Sequence, residues 1–84
     1  MYRVLLERGA EKDLDRLSSE IHHRMIAAIR ALATNPRPSG CRKLAGSKND
    51  WRIRVGDYRV IYEIADETRF VRVNRVRHRR EVYR

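Results

Sequence analysis

The last third of the chain, WRIRVGDYRVIYEIADETRFVRVNRVRHRREVYR from Trp51 onward, leaves little choice of fold. Trp51, Ile53 and Val55 alternate with Arg52 and Arg54, the period-two pattern of a strand over residues 50–56 with one apolar and one cationic face. Gly56-Asp57 breaks the run as a tight connection. Residues 58–65 are dense in β-branched and aromatic side chains and predict a second strand. Asp66-Glu67-Thr68 makes the next turn, and a third strand is expected over 69–76. Most of the remaining positions are arginine, so a sheet built from these strands carries guanidinium groups on a rigid platform. Residues 77–84 follow as an arginine-rich tail.

The first half supplies what that sheet packs against. Tyr2, Val4 and Leu6 alternate within residues 1–7 and predict a short strand. Residues 10–17 predict a short helix with Leu14 and Leu17 on one face and Asp13 and Arg16 on the solvated side. Ser18 or Ser19 is a suitable cap for a second helix over 19–34, whose apolar stripe is Ile21, Met25, Ala28, Ile29 and Leu32. Asn35-Pro36 stops it, because proline disfavours helical geometry at the residue before it. A basic loop over 36–49 contains both prolines and Arg37, Arg42, Lys43 and Lys48, with Leu44 tucked toward the core. The order predicts one α+β domain over 1–84, with two helices on one face of a small, mainly antiparallel four-stranded sheet and arginines on the other. Trp51, Tyr58 and Tyr62 share parity with the apolar positions, so they are read as core rather than as base-stacking platforms.

Charge narrows the partners. The chain carries 20 Lys and Arg against 11 Asp and Glu, a formal net charge of +9. A pI near 10.8 is the electrostatic footprint of a nucleic-acid binder. Lysine appears only at Lys12, Lys43 and Lys48; the other cations are arginine, which contacts phosphate bidentately and stays charged at any working pH. Cys41 is the only cysteine, so no internal disulfide and no cysteine-based metal motif is possible. His22 and His23 are neighbours and point about 100° apart on a helix, a solvated face rather than a metal site. No cofactor motif, signal-type apolar run or membrane-spanning stretch is present, and a reducing cytoplasm is the expected compartment.

Several phrases together resemble one family. They are the opening YRVLLERGAEKDLDRL, Lys43-Leu44-Ala45-Gly46 ahead of the hairpin WRIRVGDYRVIY, and the ending His78-Arg79-Arg80-Glu81-Val82-Tyr83. Over essentially the whole length the chain is similar to the RelE/ParE superfamily of small toxins from type II toxin–antitoxin pairs. The RelE branch implies a ribosome-dependent endoribonuclease that cuts mRNA in the decoding site, without metal or cofactor, silenced by a RelB-like antitoxin. ParE-type relatives share the fold but poison DNA gyrase by protein binding, and they usually lack a catalytic ending with tyrosine. Arg79, Arg80 and Tyr83 therefore point to the RelE side. A non-catalytic basic RNA-binding module is the remaining alternative.

Metal-free RNA cleavage proceeds by attack of the 2′-hydroxyl on the neighbouring phosphate, giving a 2′,3′-cyclic phosphate and a 5′-hydroxyl. It needs a base, a stabiliser of the crowded phosphorane, and an acid for the leaving oxygen. The resemblance implies that Arg59 stabilises the transition-state charge, and it places Arg52 and Arg54 where relatives often carry lysines. Arginine cannot be deprotonated in a protein, so these two bind phosphate, along with Lys43 and Lys48. The base role falls to Tyr83, whose ordinary pKa of ~10 nearby cations lower. At the leaving oxygen the resemblance implies an arginine of the final strand region, a role for which Arg77, Arg79 and Arg80 compete; in an extended tail Arg77, Arg79 and Tyr83 share one parity, which favours Arg77 or Arg79. His78 is a rival acid or base on the other parity, or an anchor for the tail. The same electrostatics imply an antitoxin segment rich in acidic and apolar residues that folds as it binds.

Overall fold

Residues 58–65 form the central strand of the fold. The computed structural model describes residues 1–82. The elements are β1 (Arg3–Leu6), α1 (Arg8–Asp15), α2 (Ser19–Ala31), β2 (Arg42–Lys43), β3 (Asp50–Val55), β4 (Tyr58–Ala65), β5 (Phe70–His78) and α3 (Arg79–Val82). The sheet order is β1-β5-β4-β3-β2, with β1 parallel to β5 and all other pairs antiparallel. The expected α+β layout stands, with two additions, α3 at the end of β5 and a further strand. Arg42 and Lys43, expected in the loop, pair with Arg52 and Trp51 as a fifth, two-residue edge strand.

Alternation does what it predicts on the helix side. Val60, Tyr62 and Ile64 of β4 are buried with Ile53 of β3, Val71, Val73 and Val76 of β5, and Ala10, Leu14, Met25, Ile29 and Leu32 of the helices. Ser18 caps α2, its Oγ accepting from the Ile21 N–H at 3.5 Å. The phenol of Tyr62 donates to the Pro36 carbonyl at 2.7 Å. Burial pushes its pKa up, so the buried group stays a donor and ties the loop after α2 to the sheet.

Two carboxylates hold the layers in place. Asp13 was expected on a solvated face, but it bends back onto β5. Its Oδ2 accepts from Arg75 Nε (2.8 Å) and the Val76 N–H (2.9 Å), and its Oδ1 from Arg75 Nη2 (3.1 Å). Desolvation alone would raise its pKa; the hydrogen bonds from Arg75 and Val76 and the charges of Arg75 and Arg77 outweigh it and hold the carboxyl below the usual range. The second is Asp66, in the β4–β5 turn. Tyr2 Oη donates to it at 2.7 Å, and Arg37 grips it bidentately at 3.1 and 2.8 Å. The Arg37 guanidinium also lies 4.9 Å from the centroid of the Trp51 ring, so one side chain joins loop, turn and sheet.

At Asp13, Asp13→Ala removes an acceptor from the Val76 amide and from Arg75 together. A loss of about 2 kcal/mol is expected in urea unfolding, with Asp13→Asn losing less because it keeps a backbone acceptor. At Asp66, the hydrogen bonds from Arg37, then Tyr2, depress the carboxyl to about 2. As pH falls the unfolded chain takes up this proton first. The contribution is therefore complete above the ordinary carboxylate pKa of 3.8 and lost on descending to about 2. The gap in melting temperature between wild type and Asp66→Asn should be widest near neutrality and close over that acidic window.

Candidate active site

The register of the antiparallel strands assembles the site. Arg54 of β3 pairs with Arg59 of β4, and Arg59 pairs with Arg77 of β5. Directly paired residues project to the same face, so three arginines from three strands form one transverse row on the face away from the helices. One step along, Arg42 of β2 pairs with Arg52 of β3 and continues the cationic surface toward the edge. β2 covers only Trp51 and Arg52, so the edge of β3 from Ile53 to Val55 is left unpaired. A groove of about 900 Å³ runs over that edge, lined by Arg42, Arg52, Arg54 and Arg59 on one side and by Ala28, Ala31 and the Pro38–Gly40 loop on the other.

Arg59 is the unusual member. It is 7% exposed, the one buried charged residue among the described residues. Its Nη1 donates to the Tyr58 carbonyl at 3.4 Å, and Arg54 Nε donates to the Gly56 carbonyl at 3.2 Å. Neither guanidinium has a carboxylate at ion-pair distance among the described residues. Elsewhere arginines of the sheet and its flanking loop are paired with carboxylates: Arg37 with Asp66, Arg72 with Glu7 and Glu63, Arg75 with Asp13. A buried cation without a counter-ion is costly, as are like charges directly opposite on a sheet. The arrangement favours a ligand that brings negative charge to Arg59, with Arg52, Arg54 and Arg42 around it.

Other residues singled out from the sequence lie elsewhere. Lys43 pairs with Trp51, on the parity of the helix-covered face, and Lys48 lies in the loop before β3; neither lines the groove. Arg42 was missed as a site residue. Its signal was present only once β2 existed, because its parity relative to Arg52 has no meaning in a loop. The described part of the tail is extended only as far as His78. β5 runs through Arg77 and His78, and the chain then turns into α3 at Arg79. The shared parity expected for Arg77 and Arg79 is therefore lost: Arg77 lies in the row, while the Arg79 N–H donates to the Asp57 carbonyl at 2.8 Å and its Nε lies 4.0 Å from the Asp57 carboxylate. Arg80 is exposed in the first turn of α3. His78 pairs with Tyr58, a helix-side residue, and so faces away from the arginine row. Tyr83 falls outside the described residues. Among the described residues no three or more His, Cys, Asp or Glu side chains gather as a metal site, and no helix is long and apolar enough to cross a membrane.

Comparison with known proteins bears on the family and the fold. The family described as ParE toxin of type II toxin–antitoxin system, parDE, matches residues 4–83. The fold superimposes on RelE in the archaeal RelE–RelB complex of Pyrococcus horikoshii with a TM-score of 0.83 and 28% identity, over 93% of this chain and 94% of that one. The isolated Escherichia coli RelE toxin gives a TM-score of 0.80 and 26% identity, over 99% of this chain and 92% of that one. With the YoeB/ParE toxin from Agrobacterium tumefaciens the fold alone is shared, at a TM-score of 0.76 and 18% identity over 93% and 98%. No curated protein sequence matches the chain significantly.

The uncompensated cation makes a stability prediction. Arg59→Met replaces a buried charge by an apolar side chain of similar length and relieves the repulsion across the row. It should raise stability by about 1 kcal/mol in thermal or urea unfolding. Unchanged or lower stability would mean that the guanidinium is better compensated than its contacts indicate.

Proposed function

The chain belongs to the RelE/ParE toxin superfamily of type II toxin–antitoxin systems, and from that premise we propose that it is a metal-independent endoribonuclease that cleaves mRNA on the ribosome and so arrests translation. The observation that carries the reading is Arg59: a nearly buried guanidinium with no carboxylate partner among the described residues, between Arg54 and Arg77 on one row, beside a groove open to solvent. This is the arrangement needed to gather charge as a phosphate passes through a five-coordinate transition state.

In this scheme Arg59 neutralises the phosphorane oxygens. Arg52, Arg54 and Arg42 bind the flanking phosphates and fix the backbone for in-line attack. Tyr83 takes the proton from the 2′-hydroxyl; the new bond forms from the 2′-oxygen to phosphorus as the bond to the 5′-oxygen breaks. Arg77, sharing the row with Arg59, donates a hydrogen bond to the leaving 5′-oxygen, which takes its proton from water; Arg79 lies off the row, in the turn into α3. The products are a 2′,3′-cyclic phosphate and a 5′-hydroxyl. Acting on ribosomes places the protein in the cytoplasm. The likeness to a RelE structure solved with RelB further suggests a cognate antitoxin, whose acidic and apolar segment would neutralise the same cations.

The family match to ParE favours one competing reading, a toxin that acts by binding a protein such as gyrase. Induction of wild type, Arg59→Ala and Tyr83→Phe with primer extension on a translated reporter mRNA separates the two. The nuclease reading expects codon-phased cuts from wild type, reduced by roughly 10²–10³ in Arg59→Ala and by at least about 10² in Tyr83→Phe. Growth arrest without cuts, retained in Tyr83→Phe, would instead support the protein-binding toxin.

A further inference from the structure

The cationic row leaves unused one ionisable residue at the base of the tail. His78 is the last residue of β5, and its imidazole is turned to the helix side. There it meets the Tyr58 ring edge-on, with centroids 5.2 Å apart and planes at 83°. Its Nδ1 accepts the Arg80 N–H at 3.3 Å, while the preceding amide, that of Arg79, donates to the Asp57 carbonyl at 2.8 Å. These are the first two amides of α3, and a helix cannot satisfy its own first amides internally. The strand-to-helix turn therefore gets its acceptors from His78 and from the β3–β4 connection, two points on the rigid sheet.

We propose that His78 is a positioning residue that acts through its Nδ1, fixing the turn at Arg79–Arg80 and with it the direction in which the chain leaves the sheet toward Tyr83. The proposal rests on the reading of Tyr83 as the base. An Nδ1 that accepts requires the neutral imidazole with its proton on Nε2. The contact spans two residues, the same reach as an asparagine or aspartate side chain accepting from the amide two residues on. The edge-on contact with Tyr58 holds the imidazole plane in the orientation that aims Nδ1 at the turn. No proton transfer by His78 is involved, in keeping with its place on the face opposite Arg59 and Arg77.

The test compares wild type, His78→Ala and His78→Asn. Asparagine keeps a side-chain acceptor where Nδ1 lies but has neither the imidazole nor its acid–base chemistry. Two quantities are measured: the solvent-exchange rate of the Arg80 amide by nitrogen-15 NMR on the free protein, and the rate of ribosome-dependent mRNA cleavage. Core amides such as those of Val60 and Val71 report in the same spectra that each variant is folded. The expected result is faster Arg80 exchange and roughly three- to tenfold slower cleavage in His78→Ala, the loss that follows from one net hydrogen bond, with both restored toward wild type in His78→Asn. Unchanged Arg80 exchange in folded His78→Ala, or a His78→Asn variant as slow as alanine, overturns the assignment. If wild type cleaves nothing, the nuclease reading fails instead, and the amide comparison still decides whether His78 holds the turn.

Discussion

The arrangement of the cationic face depends on the Asp13 carboxylate at the irregular point of β5. The register between β4 and β5 shifts there. Ile61 pairs with Arg75 and Tyr62 with Val73, so Asn74 is an extra residue on the β5 side. A bulge of this kind reverses the parity of everything after it. Val71 and Val73 face the helices at odd positions; after the bulge Val76 faces them at an even one, and Arg77 turns to the opposite face beside Arg59. β1 pairs with β5 only as far as Val73, leaving the next stretch of the β5 edge without a neighbouring strand. Asp13 covers that edge, accepting the Val76 amide and neutralising Arg75. A carboxylate from the first helix thus supports the irregularity that brings the third arginine into the row.

The charges on the rest of the sheet follow a division of labour. Arg37, Arg72 and Arg75 are each paired with carboxylates and join elements together. Arg54 and Arg59 have backbone carbonyls as their hydrogen-bond partners and no carboxylate at ion-pair distance among the described residues. Surface ion pairs contribute little individually, so the first group matters mainly through geometry: Arg37 over Trp51 and onto Asp66 fixes the loop that forms one wall of the groove. The second group stores unfavourable electrostatics at one place, which fits a site whose ligand is an anion. Stability in one region and function in the other are supplied by the same residue type.

Family membership and geometry speak to different levels. The fold is common to toxins that differ in their targets, so it decides little about chemistry on its own. What bears on chemistry is the arginine row and the groove edge beside it. The short helix beginning at Arg79 takes Arg79 out of parity with Arg77 and separates two residues that an extended tail would have made equivalent. The same strand leaves His78 on the face opposite the arginine row.

Much of this was determined by the sequence by itself. Alternation along residues 50–56 specified a strand with an apolar and a cationic face, β-branched and aromatic density marked a second over 58–65 ahead of a third over 69–76, and the 3.6-residue stripe through Met25, Ile29 and Leu32 specified the helix that covers the apolar face. Those are local periodicities, and a side chain's face within one regular element follows from its neighbours along the chain. The meeting of Arg54, Arg59 and Arg77, the inclusion of Arg42 over Lys43 and the turning away of His78 were decided only by the tertiary structure. Each depends on the register between strands, on a bulge whose amide is satisfied by a helix some sixty residues earlier, and on an edge pairing two residues long. None of these leaves a local periodic trace, because the energy that fixes them comes from groups far apart in the chain.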